Sequence, residues 1–268
     1  MPDQLFRITR RIRSKLRGNA TRPPRDLIRA EKRAIGEDPF SQFLSGLQHV
    51  EQGSPQESIA PAIDRQHKLH DLLSGEMHET SFRHKVQQMD ASEVLAAVSS
   101  PTVGLDIIYL ASAAAPPGWR VELGSAFGIG TVAICAAELG TDNPIDGIEY
   151  EAWRAEIAQE GARELIPDRA AVHAGDIGEV LPRLATQRPA IGFAFVDAMH
   201  THKATMGYHN LLEQHAARGA MVLYDDLSWS NQMERAWRDI VAAASVTDAI
   251  RIGDRWGLVR YIGAPTAE

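Results

Sequence analysis

Four residues that could do chemistry follow two apolar stretches. Asp197 and His200 end VDAMH, and Asp225 and Asp226 end LYDD. If these stretches are neighbouring parallel strands, their ends lie ~5 Å apart and three carboxylates meet. Carboxylates that close repel one another, and a hard divalent cation such as Mg²⁺ or Mn²⁺ relieves the repulsion. In the alternative reading, Asp225 or Asp226 only caps the following helix and His200 is structural.

A glycine-rich segment, VELGSAFGIGT at residues 121–131, could bind a second ligand. Gly124 and Gly128, with Ser125 between them, permit a tight turn before a helix whose free N–H groups attract an anionic or polar ligand. Glycines there also suit plain helix–strand packing. Glu122 would repel a pyrophosphate, so the segment favours a ligand with a cationic end.

Two further apolar runs end in acids. Glu149, followed by Tyr150, ends PIDGIEY. It could accept both hydrogen bonds of a ribose diol, or be a charge beside a helix N-terminus. Asp176, followed by Ile177, comes after RAAVHAG. It could meet the exocyclic amine of an adenine, or cap the helix that begins near Gly178.

The composition is that of an ordinary globular protein, with 268 residues, 44% of them hydrophobic and 24% charged. No apolar run approaches the ~20 residues that cross a bilayer, so no transmembrane segment is predicted. Cys135 is the only cysteine, which excludes an intrachain disulfide and a thiolate metal site. A reducing, cytoplasmic location fits this composition.

Charge is unevenly distributed along the chain. Residues 1–35 hold 11 Lys and Arg against 3 Asp and Glu, and the rest holds 17 against 32. Within this basic arm, Leu5, Ile8, Ile12 and Leu16 recur at helical spacing, which suits a helix on an anionic surface. Alternatively the arm is solvated, or docks on the acidic body of its own chain or of a second subunit in a homo-oligomer. No nucleic-acid partner is expected.

The order of apolar patterns predicts an α/β fold. Residues 36–103 are expected to form a lid of helices and loops, with a short helix near 40–50 and helix-like apolar positions over 61–99. In residues 104–268, short apolar runs alternate with helical patterns. This alternation predicts a doubly wound, Rossmann-like sheet of seven strands, the last antiparallel, with helices on both faces. Ligands bind such sheets at the carboxyl ends of the strands.

Residues from about 104 to 262 resemble a class I S-adenosylmethionine-dependent methyltransferase. The resemblance is carried by ELGSAFGIG, by the acid Glu149, by Gly-Asp-Ile at 175–177 and by the two acidic strand ends. Ala126 stands where many relatives have a third glycine. By this resemblance the methionine portion contacts the glycines, Glu149 holds the ribose, and Asp176 with Ile177 flanks the adenine. The expected cofactor-binding residues are Glu122, Gly124, Ser125, Gly128, Glu149, Tyr150, Asp176, Ile177 and Asp197.

Within that class, the acidic strand ends are similar to those of metal-dependent small-molecule O-methyltransferases of the catechol type and their sugar-modifying relatives. The resemblance implies Mg²⁺ or Mn²⁺ bound by Asp197, Asp225 and Asp226, chelating a catechol, a sugar or another vicinal diol. Catechol enzymes have a lysine base three residues after the first ligand, where this chain has His200. An imidazole of ordinary pKa, ~6.5, accepts a proton near neutral pH.

Three other readings remain open. A metal-independent methyltransferase would keep the glycine segment and Glu149. A nicotinamide oxidoreductase would need a phosphate-binding G-x-G-x-x-G, and a binding protein could use the same fold. Trp229 is expected either in the acceptor pocket or in the core. His202, His209 and His215 are expected at the surface.

Overall fold

A computed structural model describes residues 28–32, 40–51, 59–82, 85–99 and 102–263. Its strands are β1 (Ile28–Lys32), β2 (Met77–Phe82), β3 (Lys85–Asp90), β4 (Trp119–Leu123), β5 (Ile145–Glu149), β6 (Ala170–Ala174), β7 (Ile191–Val196), β8 (Ala216–Tyr224), β9 (Val246–Ile252) and β10 (Trp256–Tyr261). Its helices are α1 (Ser41–Glu51), α2 (Ala60–Leu73), α3 (Ala91–Val98), α4 (Thr102–Ala114), α5 (Ile129–Ala137), α6 (Ala152–Leu165), α7 (Ile177–Ala185), α8 (His202–His215) and α9 (Asn231–Ala242). None of these helices is long and apolar enough to cross a membrane.

The main sheet has the strand order β1-β9-β10-β8-β7-β4-β5-β6. Strands β4 to β8 are parallel, and β10 runs antiparallel to both of its neighbours. The predicted Rossmann-like fold with an antiparallel last strand is therefore confirmed. An order that reverses beside the first parallel strand, β4, brings the ends of β4, β5 and β7 together.

An eighth strand, β1, extends the sheet beyond the seven predicted. It pairs antiparallel with β9, and it comes from the segment assigned to the basic arm. Two side-chain bonds hold it: Trp237 Nε1 donates to Glu31 at 2.5 Å, and Lys32 Nζ donates to the Ala243 carbonyl at 2.8 Å. The helical repeat predicted over residues 5–16 lies outside the described residues.

The sheet separates two apolar clusters. On one face Phe193 and Phe195 pack with α1 to α5, and on the other Trp119 and Leu123 pack with α7, α8 and α9. Strands β4, β5 and β7 are buried at every position. Burial on both faces explains why β7, IGFAFV, is apolar throughout.

The region before residue 104 contains a β-hairpin that the sequence did not predict. Helix α1 matches the helix expected near 40–50, but β2 and β3 interrupt the helical pattern expected over 61–99. Gly75, at φ +85°, turns the chain after α2, and its N–H donates to Asp90 at 2.7 Å. Asp90 also caps α3 by accepting from Ser92 N. These two end signals divide the segment, so the helical prediction holds for α2 and α3 and is wrong for residues 77–82 and 85–90.

Asp146 lies near the amino end of β5, at the edge of the sheet opposite the carboxyl ends of the parallel strands. It is fully buried and accepts from Trp119 Nε1 at 2.9 Å, from Arg188 at 2.6 and 3.0 Å and bonds His173 at 2.7 Å. We expect Asp146→Ala to lower the free energy of unfolding by about 3–5 kcal/mol, because it leaves buried donors unpaired. Denaturant unfolding measures this loss. The exposed Asp142→Ala is the control, with a change within about 0.5 kcal/mol; equal effects would contradict the assignment.

Candidate active site

The carboxyl ends of three adjacent strands meet at one edge of the sheet. Asp197 N donates to Leu123 O at 2.9 Å, and Asp225 N donates to Val196 O at 3.0 Å, so the loops after β4, β7 and β8 are bonded together. Within the described residues, the non-glycine residues with positive φ are Ala126, Met199 and Asp226, one in each of these loops. Such strained backbone gathers at functional sites, and here it marks this edge.

The glycine-rich segment lines a cleft that also includes Val98, Ser99, Phe195 and Asp197. Gly124 has φ +93°, and a Cβ there would overlap the Asp197 carbonyl oxygen and lie 2.9 Å from its carbon. Gly128, at φ +79°, begins α5, and a Cβ there would lie 2.8 Å from Ala158 Cα. Close backbone approach therefore requires glycine at both positions.

Glu122 lies beneath the start of α5 and lines the cleft. Its side chain is buried and accepts a hydrogen bond from the Thr131 hydroxyl. Burial raises the pKa of Glu122 to about 7, and the hydrogen bond from Thr131 opposes that rise. A carboxyl that gives up its proton near neutral pH is suited to meet a cationic ligand group.

Stability of the ligand-free protein is expected to depend on Glu122 and pH. Because the folded pKa exceeds the unfolded value of 4.5, the stabilising proton is fully held below pH 4.5 and is lost as pH rises through 7. The free energy of unfolding should fall by about 3 kcal/mol over that range. Glu122→Gln should remove this slope, measured by urea unfolding at several pH values. The exposed Glu160→Gln should keep it, and parallel curves for all three proteins would contradict the assignment.

Glu149 lies beside the cleft with its carboxylate already oriented. It accepts from Ala126 N and Glu151 N, each at 2.9 Å, and pairs with Arg154 at 2.8 Å. These bonds fix its oxygens near the glycine loop, where further lone pairs remain for a diol. The neighbouring Tyr150 is 72% exposed and lies at the surface beside this acid.

The hairpin β2–β3 meets the domain next to Glu149. Thr80 Oγ1 donates to both oxygens of Glu151, at 2.8 and 3.0 Å, and His78 stacks on Trp153 with ring centroids 4.1 Å apart. Residues assigned to the lid thus contact the start of α6.

Asp176 caps helix α7, as one of its two predicted readings required. Its side chain accepts from Gly178 N at 2.8 Å, and Ile177 is buried as the first residue of the helix. The cap uses one carboxylate oxygen of Asp176. An adenine contact through the other oxygen stays a prediction.

His200 lies between two of the predicted carboxylates. Its Nε2 is 3.6 Å from Asp197 Oδ1 and 3.9 Å from Asp226 Oδ2. Burial, together with Asp225 and Asp226, raises the pKa of Asp197 well above its ordinary value. The ring of Trp229, 46% exposed, lies 5.8 Å from the His200 ring. A core position for Trp229 is excluded, and the tryptophan borders the predicted acceptor site.

Arg255, which the sequence did not single out, contacts the acidic cluster, formed by Asp197, Asp225 and Asp226. Its Nε and Nη2 donate to the two carboxylate oxygens of Asp225 at 2.5 and 2.6 Å. Asp225 is fully buried, and its Oδ1 also accepts from Asp226 N at 2.6 Å. In the described part of the chain, no group of three or more His, Cys, Asp or Glu side chains is arranged to hold a metal. The set Asp197, Asp225 and Asp226 does not fit a metal in this arrangement, because Arg255 occupies Asp225.

Some polar residues lie where sequence reasoning did not place them. His209 is 2% exposed and bonds Tyr261 at 2.5 Å, so its predicted surface position is wrong. Its helix, α8, packs that face against β8 and β10. Ser99 lines the cleft with a buried hydroxyl that has no hydrogen-bond partner among the described residues. No local motif distinguishes either residue, because only packing decides which face of a helix or loop is covered.

The fold and the arrangement of strand ends resemble those of class I, S-adenosylmethionine-dependent methyltransferases. Residues 121–227 match a family model described as a methyltransferase domain. The match contains the glycine-rich segment and both acidic strand ends. It confirms the resemblance inferred from these residues and argues against a nicotinamide oxidoreductase. A comparison with curated proteins finds no match.

Solved structures of methyltransferases share the fold. TomG of Streptomyces achromogenes, involved in tomaymycin synthesis and solved with S-adenosylmethionine, has a TM-score of 0.58 at 15% identity, over 85% of this chain and 100% of that one. PaMTH1 of Podospora anserina, bound to S-adenosylhomocysteine, has a TM-score of 0.58 at 13% identity, over 85% and 99%. An O-methyltransferase of Bacillus cereus with S-adenosylhomocysteine has a TM-score of 0.52 at 15% identity, over 85% and 100%.

Proposed function

We propose that this protein transfers a methyl group from S-adenosylmethionine to a hydroxyl of a small-molecule acceptor, with His200 as the general base. One observation carries the proposal. His200 lies between Asp197 and Asp226, and Asp197 also lines the cleft formed by the glycine-rich segment. Asp197 therefore lies both next to the candidate base and in the lining of the candidate cofactor cleft. This arrangement suits transfer between two bound molecules.

The cleft suits the methionine portion of the cofactor. Glu122 and Asp197 offer carboxylates to an ammonium and a sulfonium, which are both cationic. The methyltransferases of Streptomyces achromogenes, Podospora anserina and Bacillus cereus were solved with this cofactor or its demethylated product. Glu149 is the candidate for the ribose, because Ala126 and Arg154 hold its carboxylate at the end of β5.

The proposed chemical step is an in-line displacement. The acceptor oxygen forms a bond to the methyl carbon as the sulfur–methyl bond breaks, and the electron pair stays on sulfur to give S-adenosylhomocysteine. His200 takes the hydroxyl proton, and the neighbouring carboxylate of Asp226 stabilises the resulting imidazolium. Since the sulfonium donor is already activated, positioning supplies much of the rate.

The Mg²⁺ or Mn²⁺ predicted from the sequence stays a prediction and has no step in this mechanism. Asp197 and Asp226 offer oxygen donors of the kind that these ions prefer, but both oxygens of Asp225 accept from Arg255. A bound metal would supply Lewis-acid activation of the acceptor hydroxyl. The side chains described above provide a base without it.

The acceptor side of the site combines polar and apolar groups. Met199, which directly precedes His200, is 55% exposed. Trp229, whose ring lies 5.8 Å from the His200 ring, is 46% exposed. They offer apolar contact beside the carboxylates, which suits a ring that carries hydroxyl groups. Catechols, phenols and sugar diols are the acceptor classes to test.

The function is tested with the wild-type protein, S-adenosylmethionine and a panel of catechols, phenols and sugar diols. We expect S-adenosylhomocysteine to form together with an acceptor heavier by one methylene, detected by mass spectrometry. Calorimetric titration with S-adenosylhomocysteine measures cofactor binding separately. Cofactor binding without product across the panel would favour a binding protein, and absence of cofactor binding would contradict the proposal altogether.

A further inference from the structure

A backbone hydrogen bond and a ring contact hold Arg255 beside the acidic cluster. It lies in the tight turn between β9 and β10, and its carbonyl accepts from Leu227 N at 2.8 Å. Its guanidinium carbon lies 5.0 Å from the centre of the Trp256 ring, a cation–π distance. Its side chain is only 20% exposed. The backbone bond ties this turn directly to the loop that follows Asp225 and Asp226.

The Arg255 guanidinium is hydrogen-bonded to both carboxylate oxygens of Asp225. That carboxylate is buried, and one of its oxygens also accepts from Asp226 N. Arg255 Nε is also 3.5 Å from Asp226 Oδ1. A metal ion bound by the predicted three carboxylates would have to displace this bidentate pair. Separating a buried pair is unfavourable because it leaves a charge without its partner.

We propose that Arg255 is a positioning residue that replaces the divalent cation of the acceptor site. Its fixed positive charge neutralises Asp225, holds the Asp225–Asp226 turn and so keeps Asp226 next to His200. Methyl transfer by this protein then needs no divalent metal. This inference rests on the proposed function for its kinetic consequences, but the metal-binding consequence can be measured without any acceptor.

The test compares Mn²⁺ binding and metal dependence in the wild-type protein and in Arg255→Met. In the wild type we expect the electron paramagnetic resonance signal of free Mn²⁺ to be unchanged, and activity to survive exhaustive chelation. In Arg255→Met, the uncovered carboxylates should bind Mn²⁺ and diminish the free-ion signal. Its kcat should fall by about 10-fold or more from misplacement of the acidic turn, and guanidinium ions should partly restore it in Arg255→Ala.

Arg251→Met is the matched control. Arg251 lies in β9 and makes a similar bidentate pair with Glu234, at 2.9 and 2.6 Å. The Glu234 carboxylate is 39% exposed, belongs to α9 and lies outside the acidic cluster. Loss of this pair should lower thermal stability without creating Mn²⁺ binding. Thermal unfolding of each variant with bound S-adenosylhomocysteine separates loss of fold from loss of positioning.

Three results would overturn the inference: Mn²⁺ binding by the wild type, loss of wild-type activity on chelation with recovery in Mg²⁺, or a folded Arg255→Met that binds no Mn²⁺. Failure of the proposed function looks different. In that case no acceptor is methylated by any variant, while the Mn²⁺ measurements still report whether Arg255 covers the carboxylates.

Discussion

Replacing His200 with glutamine is expected to lower kcat by about 10²- to 10⁴-fold, the usual contribution of a general base. Glutamine keeps a polar side chain between Asp197 and Asp226 but cannot accept the acceptor proton. Binding of S-adenosylhomocysteine should be unchanged, because the cleft lining does not include His200. Steady-state kinetics and calorimetric titration measure the two quantities on the same preparation.

The neighbouring His202→Gln is the control for this substitution. His202 pairs with Asp239 at 2.7 Å, at the start of α8, and does not join the acidic cluster. The kcat of His202→Gln should stay at the wild-type value. If His200→Gln retains wild-type kcat with a saturating acceptor, His200 is not the base. A fall in both variants alike would instead indicate a structural effect of this loop.

Changing Gly124 to alanine is expected to have the second large effect, on both stability and cofactor affinity. The added Cβ would overlap the carbonyl of Asp197, which is backbone and cannot rotate away. Left-handed strain and overpacking together should lower the free energy of unfolding by about 2–4 kcal/mol. The shift of the two loops should also weaken binding of S-adenosylhomocysteine by about 10-fold or more.

Gly140→Ala separates strain from overlap. Gly140 has φ +89°, close to the +93° of Gly124, but a Cβ there meets nothing within 4 Å. Its cost should be only the left-handed strain, about 1–2 kcal/mol, with cofactor affinity unchanged. Denaturant unfolding and calorimetric titration give both values. Equal affinity losses in the two variants would rule out the close approach of Gly124 to Asp197 as the cause.

Much of the domain was predictable because its strands are buried on both faces. Runs such as IGFAFV at β7 are apolar throughout and end at a polar residue, so their bounds and their parallel arrangement follow from local pattern. Glu122, Glu149, Asp197 and Asp225 were found for the same reason, since each lies in or just after such a run. The glycine-rich segment was found because its backbone needs glycine.

The region before the domain was predictable only in part. Helix α1 has the expected position, but the hairpin β2–β3 has no alternating apolar pattern in its sequence, MHETSF and KVQQMD. Strand β1 likewise reads IRAEK and forms by adding to the exposed edge of β9. Pairing with a partner strand, and not local apolar spacing, determines such strands.

The sequence by itself determined the class of fold, the glycine-rich segment and the acids at the strand ends, because burial and backbone conformation restrict residue type locally. Only the tertiary structure decided what surrounds those acids. Arg255 lies 30 residues after Asp225 in the chain, and the antiparallel pairing of β10 with β8 brings the two together. The charge balance of a site depends on such distant partners. For that reason the sequence pointed to a metal ion where the structure places a guanidinium.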